Sequence, residues 1–422
     1  MSALAPLRHV PFRFFIAGRT VNALGNAFAP IALAFAVIDL TGSATDLGLV
    51  VGARTLSNVL FLLFGGVLAD RMPKHLLMVG ASIAAAVTQG LVATLVLTHT
   101  ATIPLLIGLS AVNGMVSALA LPASASILPA TVPAEMRQQA NAVNRLSLNA
   151  AAIVGAPVAG AVVAVIGPGA GIAVDAVTFA VSGLCFLPLR AVARPRAADG
   201  GSSRSNVLAD LRTGWSEFRS RTWLWVVVAG FCVLNAGWGG GLFILGPVVA
   251  DETIGRRAWG LVLAAQTAGM IAGGVIALRL RARRLLYFGV FSCVFLGLPV
   301  LLLGSYPHLW ALVLGALVAG VALEQFGVAW ETTMQEHVPA DKLARVYSYD
   351  MVGSFLAIPV GQVAIGPIAH AAGLEPTLIG AAGLTLLATL GMLSSRSVRT
   401  LRHELPQRGP KTAVQSVEQS VA

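Results

Sequence analysis

Long runs of apolar residues, separated by short polar turns, occupy most of the chain. A helix that crosses a bilayer needs about 20 predominantly apolar residues, and runs of this length are too long for the core of a water-soluble domain. The pattern predicts an all-α membrane protein with twelve transmembrane helices. Their approximate ranges are residues 12–38, 46–69, 75–98, 102–128, 138–165, 169–190, 222–249, 257–280, 285–304, 308–333, 343–369 and 374–395.

The turns between these runs repeat along the chain. Residues 65–75 read G-G-V-L-A-D-R-M-P-K-H, and residues 273–284 read G-G-V-I-A-L-R-L-R-A-R-R at an offset of 208. A second pair begins V-P-A-E at Val132 and V-P-A-D at Val338, at an offset of 206. Two independent repeats predict two pseudo-symmetric bundles of six helices each.

The one long polar stretch lies between the bundles and sets the expected domain boundaries. Its apolar residues return at helical spacing in its second part, which predicts an amphipathic helix at the membrane surface. The expected domains are an N-terminal bundle at 1–190, a cytosolic linker with this helix at 191–221, a C-terminal bundle at 222–395 and a basic, disordered cytosolic tail at 396–422.

The charge distribution orients the chain. Of its 422 residues 56% are hydrophobic and 11% charged, and the formal net charge is +10. With both termini in the cytosol, four of the 28 bases fall elsewhere, which leaves 24 on the cytosolic side. This bias follows the positive-inside rule and explains the basic character without a nucleic-acid partner. The four exceptions are Arg19 and Arg54 within spans, and Arg256 and Arg257 outside.

Several other classes of protein are disfavoured. The three cysteines fall in predicted spans, so neither a disulfide framework nor a metal site is indicated, and no cofactor is expected. The phosphate-binding pattern G-x-x-x-x-G-K-[ST] does not occur, which argues against a self-contained ATP-driven pump. We expect a transporter rather than an enzyme. The excess of arginine over lysine, 25 to 3, is typical of a GC-rich bacterial genome. We therefore expect a monomer in the bacterial inner membrane.

Polar side chains inside the spans point to a cavity. Arg19, Asn22 and Asn26 share one face of the first span, and Arg54 and Asn58 share one stripe of the second. Because charged groups are costly in lipid, such faces usually line a bundle interior or a water-filled cavity. Hydrogen bonding between helices is the alternative for Arg19, Asn22 and Asn26. The other polar residues expected to line the cavity are Asn113, Asn235, Gln266 and Gln325.

Three acidic residues within the spans are candidates for carrying protons. Glu324 lies near the middle of the tenth span, where desolvation favours the neutral carboxyl group and suits it to proton transfer. Glu331 follows seven residues later on the same face, and Asp175 lies in the sixth span; both are reserves for the role. The alternative for Glu324 is a hydrogen bond to a neighbouring helix.

The turn at 65–75 resembles the loop between the second and third helices of the major facilitator superfamily, whose pattern is roughly G-x-x-x-D-R-x-G-R-[RK]. Gly66, Asp70, Arg71 and Lys74 match it, whereas proline stands where the family prefers glycine. The resemblance implies the major facilitator fold and a gating latch at these residues on the cytosolic side. Asp350 matches an acid usual in the family's V-P repeat, and we expect it to pair with a neighbouring base.

Further motifs resemble the branch of that superfamily that contains the enterobactin and macrolide exporters. The turn L-T-G-S-A after the first span and the V-P-A-E-M-R turn are typical of it. In the fifth span G-A-P-V-A-G resembles the antiporter motif G-P-x-x-G, with Gly155, Pro157 and Gly160 retained. Uptake carriers of the superfamily generally lack this motif, so the resemblance favours export.

Together these features predict a secondary active transporter that exports a small amphiphilic compound, such as a drug, secondary metabolite or siderophore, by proton antiport. Its partners are the substrate, protons and the lipid bilayer. Two alternatives stay open: a proton-coupled uptake carrier, and a non-transporting membrane receptor on the same fold.

Overall fold

The structure is a computed structural model that describes residues 5–71, 73–191, 215–279 and 282–403. Within these ranges the backbone alone is described at a few groups of positions. These are residues 62–71, 121–123, 125–126, 134, 138, 191, 278, 340–341, 344–345 and 348.

Twelve helical segments follow the predicted apolar runs. Eleven of them, among the described residues, are long and apolar enough to cross a membrane, and α2 is a 28-residue helix between two of these. The first six are α1 at Val10–Thr41, α2 at Ala44–Arg71, α3 at Lys74–Leu97, α4 at Ile103–Ile127, α5 at Arg137–Val165 and α6 at Pro168–Phe186. The last six are α7 at Thr222–Glu252, α8 at Arg256–Arg279, α9 at Leu285–Ser305, α10 at Leu309–His337, α11 at Ala340–Phe355 and Ala357–Ala372, and α12 at Leu374–Ser394.

Three of the later helices are interrupted, and each interruption has a proline as its cause. Proline lacks an N–H group, so the carbonyl four residues before it loses its helical hydrogen bond. In α7 a π-helical turn at Gly241–Leu245 precedes Pro247, and in α9 a 3-10 turn at Cys293–Gly297 precedes Pro299. The α11 break at Leu356 precedes Pro359 in the same way. Local sequence therefore bends the C-terminal bundle at three places.

The packing of the helices repeats between the two halves. In the first half α2 packs on α4, α3 on α6, and α1 on both α5 and α6. The same pairs recur six helices later, as α8 on α10, α9 on α12, and α7 on both α11 and α12. Each half also has a close approach between a glycine and a backbone carbonyl of the neighbouring helix. A Cβ at Gly114 would lie 2.1 Å from the Arg54 carbonyl oxygen, and one at Gly320 would lie 2.0 Å from the Gln266 carbonyl oxygen. The predicted fold class, two pseudo-symmetric six-helix bundles, is confirmed.

The two halves meet along two seams, α2 against α11 and α5 against α8. These seams concentrate at the end of the molecule that carries the α1–α2 and α7–α8 turns, here called the closed end. A Cβ at Gly48 would lie 2.2 Å from the Gln362 carbonyl oxygen, and one at Gly366 would lie 2.5 Å from Cα of Thr45. Backbones approach this closely because glycine has no side chain.

The hydrophobic core changes from one end to the other. At the closed end a single buried cluster includes Phe35 and Leu47 of the first half and Trp259 and Leu312 of the second. Toward the opposite end, among the described side chains, one cluster around Phe12 and Phe15 belongs to the first half. Another, around Trp223 and Trp330, belongs to the second half. Apolar packing therefore joins the halves at the closed end.

The predicted linker lies mostly outside the described residues, as does most of the tail. Residues 215–220 are helical, as expected for the end of the amphipathic helix. Trp215 and Phe218 stack on each other, and both rings make tilted contacts with Tyr349 of α11. At the start of the tail a short helix spans Arg396–Thr400. The domain boundaries stay predictions.

Candidate functional site

A cavity of about 210 Å³ lies inside the N-terminal bundle, among α1, α2, α3, α4 and α6. Four of the residues expected from the polar faces line it: Arg19, Asn22, Asn26 and Arg54. Serines and large apolar side chains complete the wall, so the cavity offers both polar and apolar surface. These additional residues are Met78, Ser82, Ser117, Ala120, Ser124, Phe179 and Phe186.

Helix α1 brings its polar face to the cavity as the sequence spacing requires. The Asn26 amide donates to Oδ1 of Asn22 at 2.6 Å, one turn apart on the same helix. Nη1 of Arg19 donates to Oγ of Ser124 in α4 at 3.1 Å, while its Nε is buried with no hydrogen-bond partner. Glycine residues on this helix permit close packing, since a Cβ at Gly25 would collide with Thr178 of α6.

Asp175 is fully buried in the same bundle and lies within electrostatic reach of Arg54. Its Oδ2 accepts a hydrogen bond of 2.5 Å from the Gln89 amide of α3, while Oδ1 has no partner. Gln89 itself is buried and was not expected from the sequence analysis. One acid, one amide and one guanidinium group thus form a polar centre beside the cavity.

Four amides expected to line the cavity contact neighbouring helices instead. Asn58 donates to the Gly114 carbonyl at 3.2 Å, and Asn113 donates to Thr88 Oγ1 at 3.2 Å. In the second half the same type of bond occurs twice: Asn235 donates to the Ser354 carbonyl at 2.9 Å, and Gln325 donates to the Gly273 carbonyl at 2.6 Å. These four side chains therefore form hydrogen bonds between helices, a role that the sequence analysis did not assign to them.

Gln266 differs from the other amides. Its side chain is 9% exposed and its Nε2 has no hydrogen-bond partner. Its backbone carbonyl packs against Gly320 of α10, as the Arg54 carbonyl packs against Gly114 of α4. At the 208-residue offset of the repeat, however, Gln266 corresponds to Asn58, and Arg54 corresponds to Val262. The first half therefore has a cation where the second half has an apolar residue.

Glu324 lies on α10 against the glycine pair of the second repeat. A Cβ at Gly273 would lie 2.9 Å from the Glu324 Cβ, so the glycine lets α8 approach α10 closely at this residue. Its charge interacts with that of Arg145 on α5, which belongs to the other half, and with that of Glu331. Glu324 is half-buried and Glu331 exposed. The carboxylate is thus next to the boundary between the two halves.

The predicted latch is described only in part. Gly66, Asp70 and Arg71 lie outside the described side chains, and Lys74 begins α3. Asp350 does not pair with a base among the described residues, contrary to expectation. Its oxygens instead accept hydrogen bonds from the Trp330 indole and the Ser354 hydroxyl, at 3.0 Å each. A buried indole N–H group requires a hydrogen-bond acceptor, and the Asp350 carboxylate accepts from Trp330 instead of forming an ion pair with a base among the described side chains.

Lys342, at the start of α11, is held by the linker helix. Its Nζ lies 2.9 Å from Glu217 Oε2, and Arg221 hydrogen-bonds the other carboxylate oxygen. Hydrogen bonds from Arg221 and Lys342 lower the pKa of Glu217 below its ordinary value. Residues 215–220 are therefore attached to the N-terminal part of α11 by charge as well as by tilted aromatic contacts.

The G-A-P-V-A-G segment forms the α5–α8 seam. A Cβ at Gly160 would lie 2.8 Å from the Arg256 carbonyl oxygen, and a Cβ at Gly260 would lie 2.4 Å from the Ala156 carbonyl oxygen. Gly155 packs in the same way against Ala27 of α1, and Pro157 is within the helix. The motif thus holds helices of both halves in backbone contact.

Sequence reasoning did not identify several residues of this region. Ser82, Thr88 and Gln89 are polar residues within the third span, and that signal could have marked α3 as part of a polar site. Phe179 and Phe186 carry no such signal, because apolar side chains in a span face lipid, protein or cavity without any difference in sequence.

Comparison with known proteins places this geometry in context. The family profile described as Major Facilitator Superfamily matches residues 15–362. An uncharacterized MFS-type transporter, y4rN of Sinorhizobium fredii, is 24% identical over 276 residues, a match that covers 64% of this chain and 66% of the relative, just under two thirds of its length.

Solved structures show the same fold at low identity. A bacterial homologue of the human lysosomal transporter Spinster aligns with a TM-score of 0.72 at 14% identity, over 94% of this chain and 98% of that one. The nucleoside transporter NupG aligns at 0.67 and 13%, over 91% and 98%. A bacterial homologue of the iron transporter ferroportin aligns at 0.68 and 16%, over 91% and 99%. The helix order, the repeated packing and the profile match agree: the chain belongs to the major facilitator superfamily and is a multi-pass membrane transporter.

Proposed function

We propose that this transporter exports a small amphiphilic compound and couples export to the inward movement of protons. The observation that carries the proposal is the position of Glu324, a half-buried carboxylate of the second half whose charge acts on Arg145 of the first. Protonation of Glu324 removes this attraction between the halves. A proton can thereby change the free energy of contact between the two bundles, as coupling requires.

Alternating access is supported by the distribution of the core. One apolar cluster spans both halves at the closed end, whereas the two clusters toward the opposite end each belong to one half. In the proposed orientation the closed end faces away from the cytosol and both termini lie in the cytosol of a bacterium. The inner membrane is then the site of action, and the monomer is the working unit.

The chemistry of the cavity supports an amphiphilic substrate. Arg19, Arg54 and two asparagines offer hydrogen-bond donors, and Phe179 and Phe186 offer apolar surface in the same cavity. Pockets that bind drug-sized ligands are larger, about 300–1,000 Å³, so this cavity of about 210 Å³ suits one end of a substrate.

The direction of transport rests on the resemblance of G-A-P-V-A-G to the antiporter motif, together with its place in the structure. The segment joins α5 to α8 at the closed end, through Gly160 and Gly260. A contact of this kind stabilises the state in which the cavity is shut off from that end. An exporter needs such a state in order to load substrate from the cytosol.

Vesicles of both orientations test the proposal. Inside-out membrane vesicles would be acidified in the lumen, with the pH followed by a fluorescent amine, and erythromycin or 2,3-dihydroxybenzoylserine would be added. Proton release from the lumen with uptake of the compound supports export by antiport. Accumulation only in right-side-out vesicles under an inward proton gradient would identify an uptake carrier, and absence of transport of either compound in both would favour a receptor.

A further inference from the structure

The N-terminal cavity has more positive than negative charge. Arg19 and Arg54 both line it, and Asp175 is the only carboxylate whose charge acts on Arg54 among the described residues. No charged partner acts on Arg19 among those residues. Two guanidinium groups in a partly buried site are costly unless anions or acceptors satisfy them.

The donors of Arg19 are incompletely used. A guanidinium group has five N–H donors in a planar fork, and the described contact of this one is the 3.1 Å bond to Ser124. Its Nε is buried without a partner. Arg54 makes no described side-chain hydrogen bond, although its charge acts on Asp175.

The Arg54 side chain is not what joins α2 to α4. Arg54 approaches Gly114 through its backbone carbonyl oxygen, and Gln266 approaches Gly320 in the second half in the same way. At the 208-residue offset of the repeat the residue that corresponds to Arg54 is Val262, which carries no charge. The cation at Arg54 is left to serve another purpose.

We propose that the cavity binds the anionic end of an aromatic substrate, a carboxylate or a similar planar oxyanion, between Arg19 and Arg54. Carboxylate oxygens match the guanidinium fork in geometry and accept two donors at once. The ring attached to the carboxylate packs on Phe179 and Phe186 across the cavity. This assignment rests on the proposed transport function, of which it specifies the substrate class.

Equilibrium binding to the purified full-length protein tests the assignment without any proton gradient, so its outcome is independent of the direction of transport. The probes are radiolabelled salicylate, the neutral analogue salicylamide and the cation benzylammonium. We expect saturable binding of salicylate, at least about tenfold tighter than that of either analogue, because charge-assisted hydrogen bonds are the stronger class. Equal affinity for salicylate and salicylamide, preference for benzylammonium, or no saturable salicylate binding would overturn the proposal.

Variants locate the binding energy. R19Q and R54Q should each weaken salicylate binding about tenfold or more while leaving salicylamide binding within about twofold, and R54K should fall between R54Q and the parent. The matched control is R257Q, which removes the same charge from an exposed position at the start of α8. Loss of binding in R257Q equal to that in R54Q would indicate a general charge effect and overturn the assignment.

Two further measurements keep the result interpretable. Monodispersity and thermal unfolding are compared for each variant, and if R54Q does not fold, the ratio of salicylate to salicylamide affinity in R54K and R19K decides.

A phospholipid headgroup offers the same oxyanion chemistry as the substrate. Stoichiometric displacement of salicylate by phosphatidylglycerol, but not by phosphatidylcholine, would assign the cavity to a lipid and contradict the proposal.

Discussion

Arg256, the first residue of α8, binds Asp39 near the end of α1 through two hydrogen bonds, Nη2 to Oδ1 at 2.5 Å and Nη1 to Oδ2 at 3.0 Å. The pair joins the two halves at the closed end. The same guanidinium group donates to both oxygens of Asp251 within its own half. It also lies over the ring of Phe35, which belongs to α1 of the first half. Arg256 therefore combines two contacts between the halves with one inside a half.

This arrangement predicts that Asp39→Asn favours opening of the closed end. An exposed ion pair contributes about 0.2–1 kcal/mol, so the open population should rise up to about fivefold. The measurement is the rate of maleimide labelling of Thr45→Cys, a position on the α2–α11 seam against Gly366, in protein whose native cysteines are replaced.

The matched control for that experiment is Asp251→Asn. It removes a similar bond from Arg256, but one that stays within the second half, so the labelling rate should change little. Equal acceleration in both variants would mean that the Asp39 bond does not hold the halves together.

The α5–α8 seam predicts that Gly260→Ala impairs the protein. The added Cβ would lie 2.4 Å from the Ala156 carbonyl oxygen, so the two helices must separate. Forcing extra volume into a tight contact costs about 1–3 kcal/mol. We expect faster labelling at Thr45→Cys, slower transport and a lower unfolding temperature.

Gly90→Ala in α3 serves as the comparison, because a Cβ there meets no atom within 4 Å. In a helix this change should be neutral or favourable by about 1 kcal/mol. If Gly260→Ala behaved like Gly90→Ala in all three measurements, the close approach of α5 to α8 would have no role in transport.

Glu324→Gln should separate coupling from substrate movement. The amide keeps the shape of the carboxyl group but neither titrates nor attracts Arg145. In proteoliposomes with an imposed pH gradient we expect concentrative export to fall at least about tenfold, which corresponds to about 1.4 kcal/mol of lost coupling, while exchange of substrate without a gradient persists.

Glu331→Gln is the control, since Glu331 lies on the same helix and is exposed. It should retain most gradient-driven export. Concentration of substrate by Glu324→Gln protein would leave Glu324 a structural role and direct attention to Asp175, the buried carboxylate of the N-terminal bundle.

Attachment of the linker helix should depend on pH through Glu217. Its pKa is lowered by hydrogen bonds from Arg221 and Lys342, so the ionised form is the one that the folded state stabilises. The stabilisation is present above the ordinary pKa of glutamate, about 4.3, and is lost as the pH falls through the lowered value. Thermal unfolding of the parent and of Glu217→Gln, compared between about pH 7 and pH 3, should differ at neutral pH and converge in acid.

Lys342→Gln provides the second arm of this test. It removes one of the two donors, so the difference from the parent at neutral pH should be smaller than that for Glu217→Gln. A difference between parent and Glu217→Gln that is unchanged in acid would exclude Glu217 as the titrating group.

The sequence by itself determined the helices, their number and the twofold design. A long apolar run predicts a membrane-spanning helix, because the bilayer core has no water to bond backbone N–H and C=O groups and a helix satisfies these groups within the segment. The interruptions in α7, α9 and α11 each precede a proline, but Pro157 lies within the continuous helix α5, so proline alone does not fix the position of a break. The faces that carry Arg19, Asn22 and Asn26 also followed from helical spacing, and these residues do line one cavity.

Only the tertiary structure decided which polar groups face each other. Asn58, Asn113, Asn235 and Gln325 have the same sequence signal as the cavity residues, yet each bonds a neighbouring helix. A polar residue in a span must find a partner, and its position along one helix does not say whether that partner is a second helix, water or substrate. The rotation and tilt of the neighbouring helix make that choice.

The same limit applies to charge pairs between distant segments. Asp39 and Arg256 are 217 residues apart, and nothing in either local sequence links them. Asp350 shows the opposite error: the sequence predicted an ion pair with a base, whereas its carboxylate accepts hydrogen bonds from Trp330 and Ser354. Side-chain pairing depends on distances of a few ångströms between helices, and those distances are set by packing of the whole bundle.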